Sequence, residues 1–237
     1  MKIKWSVIIA VLFIIVIFIG LVFLVIYKNE KSISSTANTL DTKYKTVIID
    51  AGHGGGDGGA VAKDGTLEKD INLSISQKLE TALKIMGYNV IMTRTKDELI
   101  YDADVSKTTR QKKVSDIHNR TDLVNSTPNA VLISIHQNKF PATQYSGTQV
   151  FYSPNCEESK PLAQSIQFAV RDLLQPYNKR EIKKSGTSIY MLYYVKSPAV
   201  MVECGFLSNY EECEKLKSKD YQKQMVFCIM CGILNYL

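Results

Sequence analysis

The sequence predicts a single α/β domain with a mostly parallel sheet and helices on both of its faces. Two observations support this prediction. Short runs of Val and Ile without polar alternation, typical of strands buried on both faces, recur along the chain. Longer segments with helical periodicity separate these runs, and chains that alternate in this way form layered α/β folds.

The first 27 residues differ from the rest of the chain. Lys2 and Lys4 precede a stretch from Trp5 to Tyr27 that has no charged residue. About 20 apolar residues cross the ~30 Å core of a bilayer, and this stretch stays bulky to its end, unlike a cleavable signal peptide. We therefore predict an uncleaved membrane anchor over residues 1–27, with its amino terminus inside the cell.

Residues 28–43 are polar and predict a short linker, which leaves residues 44–237 for one catalytic domain of ordinary size. The chain has 29 basic and 23 acidic residues and a formal net charge of +6. This mild excess is compatible with an acidic polymer as partner. Because long basic runs are absent from the sequence, we expect no nucleic-acid partner.

The five cysteines do not predict a disulfide framework, because their number is odd and the domain is large. Cys228 and Cys231 have the spacing of half a zinc site, but the sequence has no second such pair. Both lie in an apolar helical pattern, where free cysteine is commonly a small buried hydrophobe. We expect them in the core.

The first strand of the domain is predicted over Lys45–Asp50, and it leads into Gly52–Gly59, a loop with six glycines and His53. Glycine allows close approach of backbone and ligand, so such a loop at a strand end indicates a binding site. A plain surface turn and a dinucleotide-binding loop are the alternatives. The second requires a helix to start directly at the loop, whereas the next helical pattern begins several residues later.

That helix is predicted from Leu67 to about Met86, with Thr66 as its N-cap and Gly87 at its end. Glu68 falls in the first turn. A carboxylate is favoured there by the helix dipole, so its position has a sufficient structural explanation without any catalytic role.

The remaining elements continue the alternation. Apolar patterns predict strands at Tyr88–Thr93, Val131–Ile135, Gly147–Tyr152, Ile189–Tyr194 and Ala199–Glu203. Amphipathic patterns predict helices at Thr109–Asn125, Glu158–Leu174 and 221–236. Polar loops are predicted at 96–107 and 179–184.

Three side chains stand at or just past the carboxyl ends of predicted strands: His53, His136 and Glu203. Sites in α/β sheets gather at this edge, so we expect the three to converge, with Glu68 joining from its helix start. Glu203 has apolar neighbours, and a buried carboxylate stays charged only beside a cation or hydrogen-bond donors. His118 lies within a helix without a second donor nearby and is expected to be a surface or half-buried histidine.

Two histidines and one carboxylate are the ligand set of an open catalytic zinc site, with water in the fourth position. A second carboxylate can then take a proton from that water and return it to a leaving amine. Composition alone does not establish zinc chemistry, because histidines are often structural. The placement at strand ends favours it.

Four motifs carry a family resemblance: Asp50–Gly55, Glu68 at a helix start, Ser134–Asn138 and Val202–Asn209. The four motifs occur in the same order as in the zinc-dependent N-acetylmuramoyl-L-alanine amidases of the third type. The sequence resembles this family from about Thr46 to the C-terminus. Within that family it is most similar to the membrane-anchored, single-domain amidases of spore-cortex formation and germination.

The resemblance implies a mixed sheet of about six strands between helix layers. It implies one zinc ion held by His53, Glu68 and His136, with Glu203 as catalytic acid and base. The implied reaction cleaves the amide between N-acetylmuramic acid and L-alanine in peptidoglycan, which strips stem peptides from the glycan before muramic-lactam formation in spore cortex. The domain would then lie on the extracytoplasmic side, between the forespore and mother-cell membranes.

Two positions depart from the family pattern: Ala51 replaces a usual proline, which loosens the loop, and Lys139 replaces a small residue. Lys139 can contact an anionic lactyl or peptide carboxylate, or point to solvent. Asp50 and Asp57 are candidates for orienting a histidine or for capping the loop.

Two other functions stay open. One is a wall-binding protein that keeps the zinc pocket without hydrolysis, against which the intact set of four residues argues. The other is a zinc carboxypeptidase, which would release terminal amino acids. We find no separate wall-targeting module in the sequence and therefore expect an accessory protein to recruit the chain or complete its site.

Overall fold

The computed structural model describes Gly20, Tyr44 and residues 46–104 and 107–237. Apart from Gly20, the predicted anchor over 1–27 and the predicted linker over 28–43 lie outside the described residues. Within the part of the chain that is described, no helix combines the length and the apolar character needed to cross a bilayer.

The described residues form six strands and six helices. The strands are β1 (Thr46–Ala51), β2 (Asn89–Met92), β3 (Ala130–Asn138), β4 (Gln149–Tyr152), β5 (Lys183–Lys184) and β6 (Ala199–Phe206). The helices are α1 (Glu68–Ile85), α2 (Thr109–Ser126), α3 (Ser159–Leu173), α4 (Tyr190–Tyr194), α5 (Tyr210–Lys217) and α6 (Lys219–Tyr236).

The strands form one mixed sheet in the order β2-β1-β3-β6-β4-β5. Strands β2, β1, β3 and β6 run parallel to one another, whereas β4 is antiparallel to β6 and parallel to β5. The predicted mostly parallel sheet of about six strands is confirmed. The run Thr46–Ala51 is buried throughout, as expected for a strand covered on both faces.

Helices cover both faces of the sheet and complete the three layers. On one face α1 and α3 pack on the strands, with α6 across both, and the core there includes Leu79 and Ile229. On the other face Val124 of α2 and Leu192 of α4 pack with Leu132 of β3. Burial of these apolar stripes against the sheet is the main stabilising term of the fold.

The predicted strand Ile189–Tyr194 is wrong, because residues Tyr190–Tyr194 form helix α4. The ring centroids of Tyr190 and Tyr194 lie 4.4 Å apart, which is the i, i+4 contact of one helical turn. Met191 and Leu192 are buried in the core. A five-residue apolar run does not distinguish the two structures by periodicity, and contact with the core decides between them.

Two further elements differ from prediction. Lys183–Lys184, expected within a loop, form the short edge strand β5. Helix α5 was not predicted, although Asn209 precedes it as N-cap and accepts a hydrogen bond from the Glu212 N–H at 3.1 Å. An asparagine followed three residues later by Glu is a recognisable start signal for a helix.

The predicted N-cap of α1 is also wrong. The cap is Leu67, without a side-chain hydrogen bond, instead of Thr66. The first N–H groups of the helix are satisfied by the glycine loop, because Glu68 N donates to the Ala60 carbonyl at 2.9 Å and Lys69 N donates to the Gly58 carbonyl at 3.2 Å. The loop therefore caps the helix with its backbone.

Strands β3 and β6 run further than predicted. His136 therefore lies within its strand instead of just past the end, and Glu203 lies within its strand instead of at the last residue. The two residues are paired across the sheet, and the register shifts between His136 and Asn138. Directly paired residues point to the same face, so both side chains face the layer of α2 and α4. Such irregularities in pairing are frequent beside functional sites.

Candidate metal centre

The side chains of His53, Glu68 and His136 meet near the carboxyl ends of β1 and β3. One ligand atom from each lies within 4.8 Å of the others. Glu68 Oε1 is 2.9 Å from His136 Nδ1, and Glu68 Oε2 is 3.2 Å from His53 Nε2. The structure thus brings together the three residues that the resemblance implies as metal ligands.

Glu68 is buried at the first position of α1 and bridges the two histidines. Its carboxylate also accepts hydrogen bonds from Ala60 N at 2.7 Å, Gln137 N at 3.1 Å and Asn72 Nδ2 at 3.2 Å. Burial raises the pKa of Glu68, but hydrogen bonds and charge from the histidines, His136 foremost, outweigh burial and lower it. The Glu68 carboxylate is therefore kept ionised, and its two oxygens have few acceptor positions left for further hydrogen bonds.

His53 has a backbone φ of 63°, a left-handed conformation that is costly for a residue with a side chain. Its Nδ1 lies 2.9 Å from Asp57 Oδ2, which is the orienting contact predicted for Asp57. Burial lowers the pKa of His53, but Asp57 and Glu68 outweigh this and raise it to about 9. Lys113 Nζ lies 2.7 Å from the other oxygen of Asp57.

Asp50 does not contact a histidine, so its predicted orienting role is wrong. Its buried carboxylate accepts hydrogen bonds from Arg120 at 2.7 Å, Thr93 Oγ1 at 2.8 Å and Ser134 Oγ at 2.6 Å. These donors tie β1, α2, the end of β2 and β3 together beneath the site. Asp50 is a structural acid, because three donors inside the core use most of its acceptor capacity.

Acid is expected to destabilise the fold through Asp50. Burial raises its pKa, but the charge of Arg120 and of His136 and the hydrogen bond from Ser134 lower it to about 2. The unfolded value is about 3.9, so Asp50 stabilises the fold above about pH 4, and this contribution disappears as pH falls to about 2. The difference in pKa corresponds to about 2 kcal/mol.

Chemical unfolding of the wild type, Asp50→Asn and the exposed control Asp220→Asn at pH 5 and pH 2.5 measures this contribution. The free energy of unfolding should fall by about 2 kcal/mol less in Asp50→Asn than in the other two proteins. Equal losses in all three would contradict the assignment.

Arg120 is the residue that sequence reasoning misses most clearly, because in the predicted helix Thr109–Asn125 it is one basic residue among several. It is 1% exposed and donates to the carbonyls of Ala51 at 2.8 Å and His53 at 2.9 Å. Asp116, one turn earlier in α2, accepts from its Nε at 2.8 Å. The spacing of Asp116 and Arg120 is the one sequence signal for this buried network.

A second arginine and a lysine hold the glycine loop from the other side. Arg94 is buried and donates to the carbonyls of Ala51 at 2.8 Å and Gly52 at 3.1 Å. Lys69 Nζ donates to the Gly55 carbonyl at 2.8 Å and to Asp97 at 2.6 Å. The loop carbonyls are therefore fixed by cationic donors, which keeps the strained His53 in place.

The glycines make room for the candidate ligands. A Cβ on Gly52 would lie 2.2 Å from His136 Nε2. A Cβ on Gly59 would lie 2.6 Å from both Glu68 Oε2 and His53 Cδ2. The space that glycine leaves in this loop is filled by the histidine rings and the carboxylate, so neither a plain surface turn nor a dinucleotide loop describes it.

Glu203 is half-buried beside its paired residue His136. Burial raises its pKa to about 7, with Glu68 adding to the rise and the two histidines opposing it. Its Oε2 is buried and has no hydrogen-bond partner among the described residues. A buried carboxylate oxygen without a protein donor fits a site that is completed by a group from outside the chain.

A cleft of about 260 Å³ opens over the histidines, between the sheet and helices α2 and α4, and its lining includes His53, His136 and Tyr190. We call it the metal-centre cleft. His118 is exposed and stacks on Tyr190 with centroids 4.9 Å apart, as expected for a surface histidine. Cys228 is buried in the core as predicted, and Cys231 is partly buried.

Comparison with known proteins agrees with the resemblance that the four motifs carry. A family model described as N-acetylmuramoyl-L-alanine amidase, Amidase_3, matches residues 47–235. The chain is 34% identical over 219 residues to the germination-specific N-acetylmuramoyl-L-alanine amidase of Bacillus subtilis (strain 168), with 92% of this chain and 91% of that protein covered.

Solved structures agree as well. The chain is 41% identical, with a TM-score of 0.78, to the CwlD amidase from Clostridioides difficile in complex with the GerS lipoprotein, covering 81% of this chain and 98% of that one. It is 30% identical, with a TM-score of 0.71, to an N-acetylmuramoyl-L-alanine amidase from Clostridium difficile 630, covering 82% and 97%.

The family match spans most of the chain and includes all four motifs that surround the site. The chain therefore belongs to the Amidase_3 family and is an N-acetylmuramoyl-L-alanine amidase, a hydrolase of peptidoglycan.

Proposed function

We propose that this amidase uses one zinc ion held by His53, Glu68 and His136, and that Glu203 is its catalytic acid and base. The observation that carries the proposal is the convergence of two histidines and a buried carboxylate, one ligand atom from each within 4.8 Å of the others. Glu203 adds a carboxylate oxygen that lacks a partner among the described residues.

The donor set fits zinc, which takes nitrogen and oxygen ligands and in catalytic sites leaves one position open beside three protein ligands. The negative charges of Asp57 and Glu68 stabilise a positive charge in the site, as the raised pKa of His53 indicates. Asp57 occupies Nδ1 of His53, so that Nε2 faces Glu68. When bound, zinc polarises a carbonyl and lowers the pKa of water to about 7.

Burial raises the pKa of Glu203 towards neutrality, which supports its proposed role. A group with a pKa of about 7 accepts and releases a proton readily near neutral pH. We assign it two transfers: it takes a proton from the attacking water and gives it to the nitrogen of L-alanine, which can leave only as an amine. The hydroxyl of the water stays on the lactyl carbonyl carbon as the C–N bond breaks, which leaves muramic acid with a free lactyl carboxylate.

Digestion of purified peptidoglycan tests the reaction. The full chain is expected to release peptides with amino-terminal alanine, to lose this activity with a chelator and to regain it with zinc. Release of single carboxyl-terminal amino acids would identify a carboxypeptidase instead. Retention on peptidoglycan without any released peptide would identify a wall-binding protein.

We further propose that the substrate is spore-cortex peptidoglycan and that peptide removal prepares muramic-lactam formation. Similarity to the germination-specific amidase of Bacillus subtilis supports this choice. The expectation of an accessory protein is supported by the CwlD structure, which is in complex with the GerS lipoprotein. An anchor over residues 1–27 would hold the catalytic domain outside the cytoplasm, between the two membranes of the developing spore.

A further inference from the structure

A second cleft, of about 220 Å³, lies over strands β4 and β5. Its lining combines aromatic rings with cations, and we call it the basic aromatic cleft. The residues that define it are Phe140, Tyr145, Phe151, Arg180, Lys183 and Phe206.

The register of the sheet puts this cleft next to Glu203. On one side Glu203 pairs with His136, and on the other it pairs with Gln149, which also lines the basic aromatic cleft. Directly paired residues carry their side chains on the same face, about 5 Å apart. The cleft therefore continues from the metal centre along one face of the sheet, on the side of Glu203 opposite His136.

Of the two cations of this cleft, Arg180 is held in position by the protein. Arg180 donates through Nε to the Ser146 carbonyl at 2.8 Å, and its guanidinium lies 4.5 Å from the ring centroid of Phe206. Lys183 is exposed. Among the described residues, neither cation takes part in an ion pair.

The buried carboxylate of Glu212 interacts with the charge of Arg180 but forms no ion pair with it. The carboxylate of Glu212 accepts hydrogen bonds from the N–H groups of Gly147 at 2.8 Å and Phe206 at 2.8 Å. An arginine that stacks on a ring and is hydrogen-bonded through Nε loses little side-chain freedom when it binds a ligand. It is therefore a preorganised donor for a carboxylate. The cleft is thus charged and shaped for an anion.

Resting on the proposed function, we propose that the basic aromatic cleft binds a carboxylate of the stem peptide, on the side of the amine that leaves. Every stem peptide carries a carboxylate at least at its carboxyl terminus, whereas the bond that is cut lies at its amino end. A peptide that extends from Glu203 over β4 and β5 brings such an anion to Arg180 and Lys183. The aromatic rings add apolar contact along the same path.

Steady-state kinetics on a soluble muropeptide, with its carboxylates free or converted to amides, tests the assignment. For the wild type, amidation is expected to raise KM about 10-fold, the size of one charge-assisted hydrogen bond, with kcat within about twofold. Arg180→Met and Lys183→Met should each lose most of this preference. The control Lys179→Met changes an exposed lysine of the same segment and should keep it.

Equal KM values for both muropeptides in the wild type would overturn the proposal, as would a full preference retained in both cleft variants. Lys183→Met is informative by itself, because Arg180→Met also removes the hydrogen bond to Ser146.

A binding measurement separates this inference from the proposed reaction. Calorimetry with the full chain carrying Glu203→Gln should show the free stem peptide binding about 10-fold more tightly than its amidated form. If the wild type cleaves neither muropeptide but this difference in binding is found, the proposed function fails and the cleft assignment stands. Equal binding of both peptides overturns the cleft assignment.

Discussion

Replacing Glu203 by glutamine is expected to slow hydrolysis by about 10²- to 10⁴-fold, the usual contribution of a positioned acid or base, while zinc stays bound. Glutamine has the shape of the carboxylate but cannot take a proton from water or pass one to the alanine nitrogen. Released amino-terminal alanine measures the rate, and metal analysis of the purified protein measures the zinc.

Two further variants complete this experiment. His53→Ala removes one of three candidate ligands and is expected to lose zinc together with activity. Glu157→Gln alters an exposed glutamate and should behave as the wild type. Glu203→Gln purified without zinc, combined with a fully loaded His53→Ala, would show that the roles assigned to the two residues are wrong.

Adding one methyl group at Gly52 is expected to cost the enzyme its metal. The new Cβ would lie 2.2 Å from His136 Nε2, so the imidazole must move. The movement of one ring costs the fold only about 1–3 kcal/mol, the usual cost of overpacking. The ring is a candidate ligand, however, so we expect zinc affinity to fall by at least about 10²-fold, beyond the effect of an outer-shell change.

Gly56→Ala is the matched control, because a Cβ at Gly56 meets no atom within 4 Å. Zinc titration of both variants measures the change in zinc affinity, and thermal unfolding checks that the fold is kept. The prediction fails if Gly52→Ala binds zinc as tightly as Gly56→Ala does. It also fails if both lose zinc equally, since the effect would then belong to any change in the loop.

The four candidate site residues could be named from the sequence because their signals are local. His53 follows a buried strand within a glycine loop, and Glu68 opens a helix. The structure brings His53, Glu68 and His136 together and sets Glu203 directly opposite His136. Strand ends that share one edge of a parallel sheet make such convergence a consequence of topology.

The residues that hold the site in place could not be found in the same way. Arg120 and Asp50 are 70 positions apart, and a charged residue on an amphipathic helix is ordinarily placed in solvent. Burial of an arginine becomes favourable only when several acceptors surround it, and these come from β1, the glycine loop and α2. No local pattern contains that information.

The sequence by itself determined the α/β class, the buried strands and the residue types of the candidate site. It could do so because periodicity and strand-end position are properties of short segments. Only the tertiary structure decided that residues 190–194 are helical and that Asp50 belongs to a buried arginine. It also decided that Gly52 and Gly59 make room for the candidate ligands themselves. Burial, hydrogen-bond partners and steric contact arise between segments distant in sequence, so they exist only once the chain is folded.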